Sequence, residues 1–104
     1  MQDDIMLVCC GEMGRTPRLN KNGGRDHWSR LAPLLLYGGG IGAGKTIGES
    51  DKQGGEPATK AYDPSHLIST ILRVMIDPAK LRLDPSVPEE VNRLISSPPI
   101  DGLV

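Results

Sequence analysis

Phenylalanine is absent from this 104-residue chain, and only Trp28, Tyr37 and Tyr62 carry aromatic rings. Aromatic side chains supply the largest buried areas of a core, so their scarcity excludes a densely filled one. A chain of this length holds at most one small domain with a modest core. Surplus charge is missing too. Twelve Lys and Arg stand against thirteen Asp and Glu, a formal net charge of −1. That balance leaves no electrostatic footprint for nucleic acid or an anionic membrane. No apolar run is long enough to span a bilayer. No secretory signal is legible, because Asp3 and Asp4 precede a short apolar run over residues 5–10. Cys9 and Cys10 are the only cysteines and are adjacent. Neighbours on a strand point to opposite faces, which excludes an easy bridge, and no metal-type spacing exists. They read as buried structural thiols.

Glycine and proline are plentiful, at 13 and 9 residues. With Leu, Ile and Val also common, the chain reads as folded α/β structure with long, Gly-rich loops. Residues 5–10 predict a strand buried on both faces, as in a parallel sheet. Residues 11–29 form a polar loop, of a length that is usually functional or disordered. Residues 31–37 predict a second strand, with Pro33 confined to its beginning or to a sheet edge. Residues 38–57 are Gly-rich, with a short extended piece at Thr46-Ile47. Asp63 and Pro64 open a helix as N-cap and first residue. Leu67, Ile68, Ile71, Leu72 and Met75 recur at helical spacing, and the helix stops near Asp77-Pro78. Ser86-Val87-Pro88-Glu89 has capping-box spacing and opens a shorter helix to about Ile95, ended by Pro98-Pro99. The last five residues dock or fray. No internal repeat occurs. Two strands and two helices cannot close a sheet alone. The expectation is a single partial domain over residues 1–104, the C-terminal part of a larger α/β protein, with an unpaired sheet edge open to self-association.

Gly39-Gly40-Ile41-Gly42-Ala43-Gly44-Lys45-Thr46 matches the P-loop pattern. That motif needs a helix after it, whose N-terminal amides and dipole cradle the phosphate. Residues 47–57 hold three glycines and a proline without any apolar period, so the helix fails. A Gly-rich turn between two strands is the better reading. A nucleotide-binding P-loop module remains as an alternative function, and a non-catalytic interaction module as another.

Asp26 and His27 are an oxygen and a nitrogen donor that suit zinc or manganese. Adjacent residues share one ion only where the backbone leaves regular strand geometry, and Gly23-Gly24 permit such a turn. Trp28 can pack beneath the loop. A surface Asp beside a hydrogen-bonded His is the plainer reading of the dipeptide. Glu12 and Arg15 follow the end of the first strand, where active sites of open α/β sheets lie. Glu12 is a further metal-ligand candidate, unless it pairs with Arg15 to order the loop. Arg15, Arg18, Lys21 and Arg25 form the densest basic group, suited to an anion or simply solvated.

The blocks Glu12-Met13-Gly14-Arg15-Thr16-Pro17 and Asn20-Lys21-Asn22-Gly23-Gly24-Arg25-Asp26-His27-Trp28, with the apolar run and Gly-rich turn after them, resemble the family called domain of unknown function 1501. Ile47-Gly48, the helix at Pro64 and the ending Pro99-Ile100-Asp101-Gly102-Leu103 fit as well. The family usually has Phe where this chain has Met13. The resemblance implies a sheet like that of the alkaline phosphatase and sulfatase superfamily, in which an Asp-His pair binds one of two catalytic metals. It implies that Asp26 and His27 ligate zinc or manganese, with His66 as a possible later ligand against a helix-capping role. Arg15 and Arg25 are then candidates for the substrate anion. The implied activity is hydrolysis of a phosphate or sulfate ester, on a small molecule or a polysaccharide. The nucleophile and further ligands would lie before residue 1, so the chain alone is expected to be inactive. Export from the cytoplasm is implied by the resemblance only.

Overall fold

A computed structural model describes residues 1–104. After a 3-10 turn at Gln2–Asp4 come strands β1 (Met6–Cys10), β2 (Gly14–Arg15), β3 (His27–Trp28) and β4 (Leu34–Gly38). Helices α1 (Pro64–Met75), α2 (Pro78–Leu81) and α3 (Glu89–Ser96) follow. The strands make two small sheets, β1 with β4 and β2 with β3. The result is mixed helix and small antiparallel sheet. The chain divides into two compact units. One comprises Met1–Met6, Gly38–Gly44 and Tyr62–Val104, the other Leu7–Tyr37 and Lys45–Ala61. No helix is long and apolar enough to cross a membrane.

In the first unit, Gly38 closes β4 against the start of the chain. A Cβ at Gly38 would stand 2.1 Å from the Ile5 carbonyl oxygen, and its φ of 79° also demands glycine. The Gly39 amide donates to Ile5 and Gln2 carbonyls at 2.9 and 3.1 Å. The end of β4 thus meets the beginning of β1, so these strands run antiparallel. This corrects the parallel, doubly buried strand expected at residues 5–10. Met6 and Val8 are half-buried, but Leu7, Cys9 and Cys10 are exposed. Side-chain alternation therefore gives β1 one partly covered face and one open face. The two cysteines are exposed free thiols rather than buried ones.

Helix α1 starts where the sequence places it. The Asp63 carboxylate accepts from the Ser65 and His66 amides, and the His66 imidazole answers the Asp63 amide, a complete capping box. Tyr62 stacks edge-on against His66 with ring centroids 5.3 Å apart. The helix ends at Met75, and Asp77 caps a further short helix, α2, through the Ala79 amide. That helix was not expected. The capping box read at residues 86–89 does not form. Ser86 donates instead to Asp84, and Pro88 stands at the N-cap of α3 without a side-chain cap.

The buried face of α1 also differs from the apolar stripe. Ile68 and Met75 are 39% and 72% exposed, whereas Ser69 and Thr70 are fully buried. The carbonyls at the end of α3 explain this. Helix C-termini leave carbonyls without intrahelical partners. Ser69 Oγ donates to Ser97 O at 2.6 Å, and Arg73 donates to Ile95 O at 3.0 Å. Thr70 Oγ1 accepts the Ile100 amide at 2.9 Å and donates to His66 O. Ile95, Ile100 and Leu81 are the buried apolar residues. The tail docks rather than frays, since Ile100 is among them.

Thr70→Val keeps the shape but leaves the Ile100 amide unpaired. A loss of about 1–3 kcal/mol is expected in urea denaturation. Ser65 first, then His66, hold the Asp63 carboxyl well below its ordinary 3.8, at about 2. Folding lowers this pKa, so the cap's contribution is complete above about 3.8 and fades as pH falls toward 2. Melting temperatures of Asp63→Ala and the parent chain should differ at neutral pH and converge across that window.

Candidate functional site

The candidate residues of the second unit meet in one hairpin, where β2 and β3 pair antiparallel with Gly14 opposite Trp28 and Arg15 opposite His27. A two-residue ladder is short, and other bonds hold it. Trp28 Nε1 donates to Gly55 O at 2.7 Å. Residue 55 belongs to a turn built on Asp51, whose Oδ1 accepts from the Gln53 and Gly55 amides. Ser50 and Pro57 bridge across the base of this turn. Trp28 is thus held against the turn at residues 51–55. A groove of about 320 Å³, lined by Thr16, Pro17, Arg18, Trp28, Gln53 and Gly55, opens beside it.

The ladder breaks one step beyond His27. Thr16 N donates to Asp26 O at 2.9 Å, as a strand would. The reverse bond runs from Asp26 N to the Thr16 hydroxyl, at 3.1 Å, and the Thr16 carbonyl accepts from Arg25 Nη1 at 2.8 Å. Asp26 thus stands at the mouth of β3, one residue before the strand begins. Its Oδ1 accepts from Asn20 Nδ2 at 3.1 Å. His27 is exposed, as is Arg15 opposite it. Arg15 Nη1 reaches back across the hairpin to Arg25 O at 3.3 Å. Each of the two arginines is tethered by one nitrogen, and a guanidinium carries five N–H groups in all.

Glu12 sits exposed in the bend between β1 and β2. His66 lies in the capping box of α1, its Nδ1 3.0 Å from the Asp63 carboxylate. Nowhere do three His, Cys, Asp or Glu side chains converge as metal ligands. Glu12 therefore completes no such set with Asp26 and His27. The hairpin supplies an oxygen and a nitrogen donor of the right chemistry, two of the four that a tetrahedral site requires.

No helix follows Thr46, and residues 45–49 carry no regular structure. The P-loop pattern thus lacks the helix it needs, and the extended piece expected at Thr46-Ile47 is not a strand. Asn20 was no site candidate by residue type, although Asn-x-Asn-Gly-Gly carries an Asx-turn signature that marks its loop.

Gly14 is buried, and a Cβ there would meet Leu31 O at 1.8 Å. Backbone cannot yield as a side-chain tip does, so Gly14→Ala should open the hairpin. Loss of amide protection at Thr16, together with a shift in fluorescence of Trp28, checks this.

Residues 1–85 match the family described as Protein of unknown function (DUF1501), while α3 and the tail lie outside the match. No curated protein matches the chain. No solved structure matches it either. With most of its length covered, and the hairpin of Arg15, Asp26 and His27 inside the matched segment, this chain belongs to the DUF1501 family.

Proposed function

We propose that the chain forms part of a metal-dependent hydrolase acting on phosphate or sulfate esters, with the hairpin of β2 and β3 as its contribution to the site. The observation that carries this reading is Asp26 itself, a carboxylate outside the strand ladder, oriented by an amide, next to an exposed imidazole. Ligating carboxylates are commonly held this way by a hydrogen-bond partner. The hairpin's sequence also resembles the Asp-His loop of alkaline-phosphatase-like enzymes.

In this reading Asp26 and His27 hold zinc or manganese as two ligands, and residues elsewhere complete the sphere. A bound divalent cation would withdraw charge from the ester oxygens and lower the pKa of bound water. Arg15 and Arg25 bind the anionic ester. Their tethers to the Arg25 and Thr16 carbonyls fix where each guanidinium stands, and the planar fork matches two oxygens of a phosphate or sulfate. Hydrolysis adds water to the phosphorus or sulfur and releases the alcohol. The groove over Pro17 and Trp28 would seat the organic part of the ester, with Arg18 and Gln53 at its edge. A pyranose face suits such a floor, as does a small apolar alcohol.

Calorimetric titration of the full chain with zinc separates these roles. Asp26→Ala and His27→Ala should each abolish measurable zinc binding. Arg25→Ala should leave zinc binding intact and weaken sulfate or phosphate binding to the zinc-loaded chain by about tenfold, the loss of one charge-assisted contact of roughly 1.5 kcal/mol. Equal zinc affinity in the doubly substituted Asp26→Ala, His27→Ala chain overturns the reading.

A further inference from the structure

We propose that the groove beside Trp28 binds a pyranose carrying an anionic group, a carboxylate or a sulfate, without any metal. As a statement about substrate this rests on the functional reading above, but the binding itself needs neither zinc nor hydrolysis. Trp28 is half-buried, and its indole Nε1 is committed to Gly55 O at 2.7 Å. The ring therefore has only carbon to offer a ligand. The turn at Asp51 fixes Gly55 through its amide, at 2.9 Å. The same turn brings Gly54 against Pro17, where an added Cβ would stand 3.3 Å from Pro17 Cβ. Floor and wall are thus set before a ligand enters, which lowers the cost of binding. At about 320 Å³ the groove lies at the small end of ligand sites, which run from about 300 to 1,000 Å³. It suits one ring rather than a chain of them.

The remaining lining decides what kind of ring. Arg18 enters the hydrogen bonds of the loop by its carbonyl, which accepts from Thr16 Oγ1 at 2.8 Å. Gln53 enters by its backbone amide, which donates to Asp51 Oδ1 at 3.1 Å. Neither side chain is spent on the loop, unlike those of Arg15 and Arg25. The groove thus carries one guanidinium and one side-chain amide with open bonding capacity, and no carboxylate. A cation without a counter-charge selects an anionic group, and its planar fork matches two oxygens of a carboxylate or sulfate. The amide has a donor end and an acceptor end, which suits a hydroxyl that can also do both. The indole face is the negative part of its quadrupole, and the C–H groups on a pyranose face are weakly positive. A nucleoside phosphate would also stack on Trp28, but its phosphate brings about two charges to a single cation.

Trp28 is the only tryptophan, so its fluorescence reports on the groove. The metal-free full chain is titrated with methyl glucuronide, methyl glucoside 6-sulfate, neutral methyl glucoside, AMP and sodium sulfate. Both anionic glycosides should give a saturable change, with the neutral one about tenfold weaker, the scale of one charge-assisted contact. The tighter of the two names the anionic group. Arg18→Gln should abolish the preference for charge, with the Gly55 amide still protected from hydrogen exchange. Lys21→Gln, which removes the same charge from the same loop, should keep the preference. A preference lost only together with Gly55 protection makes Arg18 structural and overturns the proposal. So do neutral and anionic glycosides of equal affinity, AMP or free sulfate binding as tightly as the anionic glycosides, or no saturable change. None of these outcomes touches Asp26 and His27, whose role the zinc titration decides separately. A failed zinc titration beside charge-selective glycoside binding overturns the hydrolase and leaves the sugar site standing.

Discussion

Backbone amides and carbonyls outside regular structure have to find partners, and this chain supplies them mainly from short polar side chains. With Leu81, Ile95 and Ile100 as its buried apolar residues, it has little hydrophobic area with which to offset unpaired polar groups. Ser69 and Arg73 collect the carbonyls at the end of α3, and Thr70 holds the Ile100 amide. No buried side-chain nitrogen or oxygen is left without a partner. The same device recurs in the loops, where Asn20, Asp51 and Asp84 each accept backbone amides two residues onward. These Asx turns replace the secondary structure that the Gly-rich segments cannot form.

That device also shapes the candidate site. A continuous ladder through residues 26–28 would send the Asp26 and His27 side chains to opposite faces. At Asp26 the pairing changes: the Thr16 carbonyl accepts from Arg25 and Asp26 N donates to the Thr16 hydroxyl. Trp28 anchors the other end through Gly55, and the hairpin is held at both sides of the Asp-His pair.

Close backbone approaches set the remaining limits. Gly14 faces the Leu31 carbonyl and Gly38 the Ile5 carbonyl, both at distances where no Cβ fits. The first holds the hairpin, the second joins β4 to β1. The Gly-rich turn after β4 serves this closure, with left-handed φ at Gly38, Gly39 and Gly40. A phosphate cradle would need those amides to lead into a helix, and they lead into irregular chain.

Local chemistry was legible in the residues themselves. Asp63 and Pro64 dictated the start of α1 because a cap and a preset φ act within one turn. The second strand was expected over residues 31–37 and forms over Leu34–Gly38, beginning after Pro33, and the glycines after Thr46 ruled out a helix there. The Gly-Arg-Asp-His-Trp block marked the family for the same reason, as a run of neighbouring residues. The burial of β1, the polar face of α1 and the place of Asn20 were not legible. Apolar character says that a side chain favours burial, but only its neighbours in space decide whether a face is covered, and the outer face of β1 is open. Ser69 is buried where it donates to carbonyls more than twenty residues away, and Thr70 where it accepts the Ile100 amide. Short-range sterics and the Asp63-Pro64 cap were thus determined by the sequence alone, whereas the capping box read at residues 86–89 was lost to the bond from Ser86 to Asp84. Partners distant along the chain were chosen only by tertiary structure, because hydrogen-bond demand depends on which backbone groups the fold leaves unpaired.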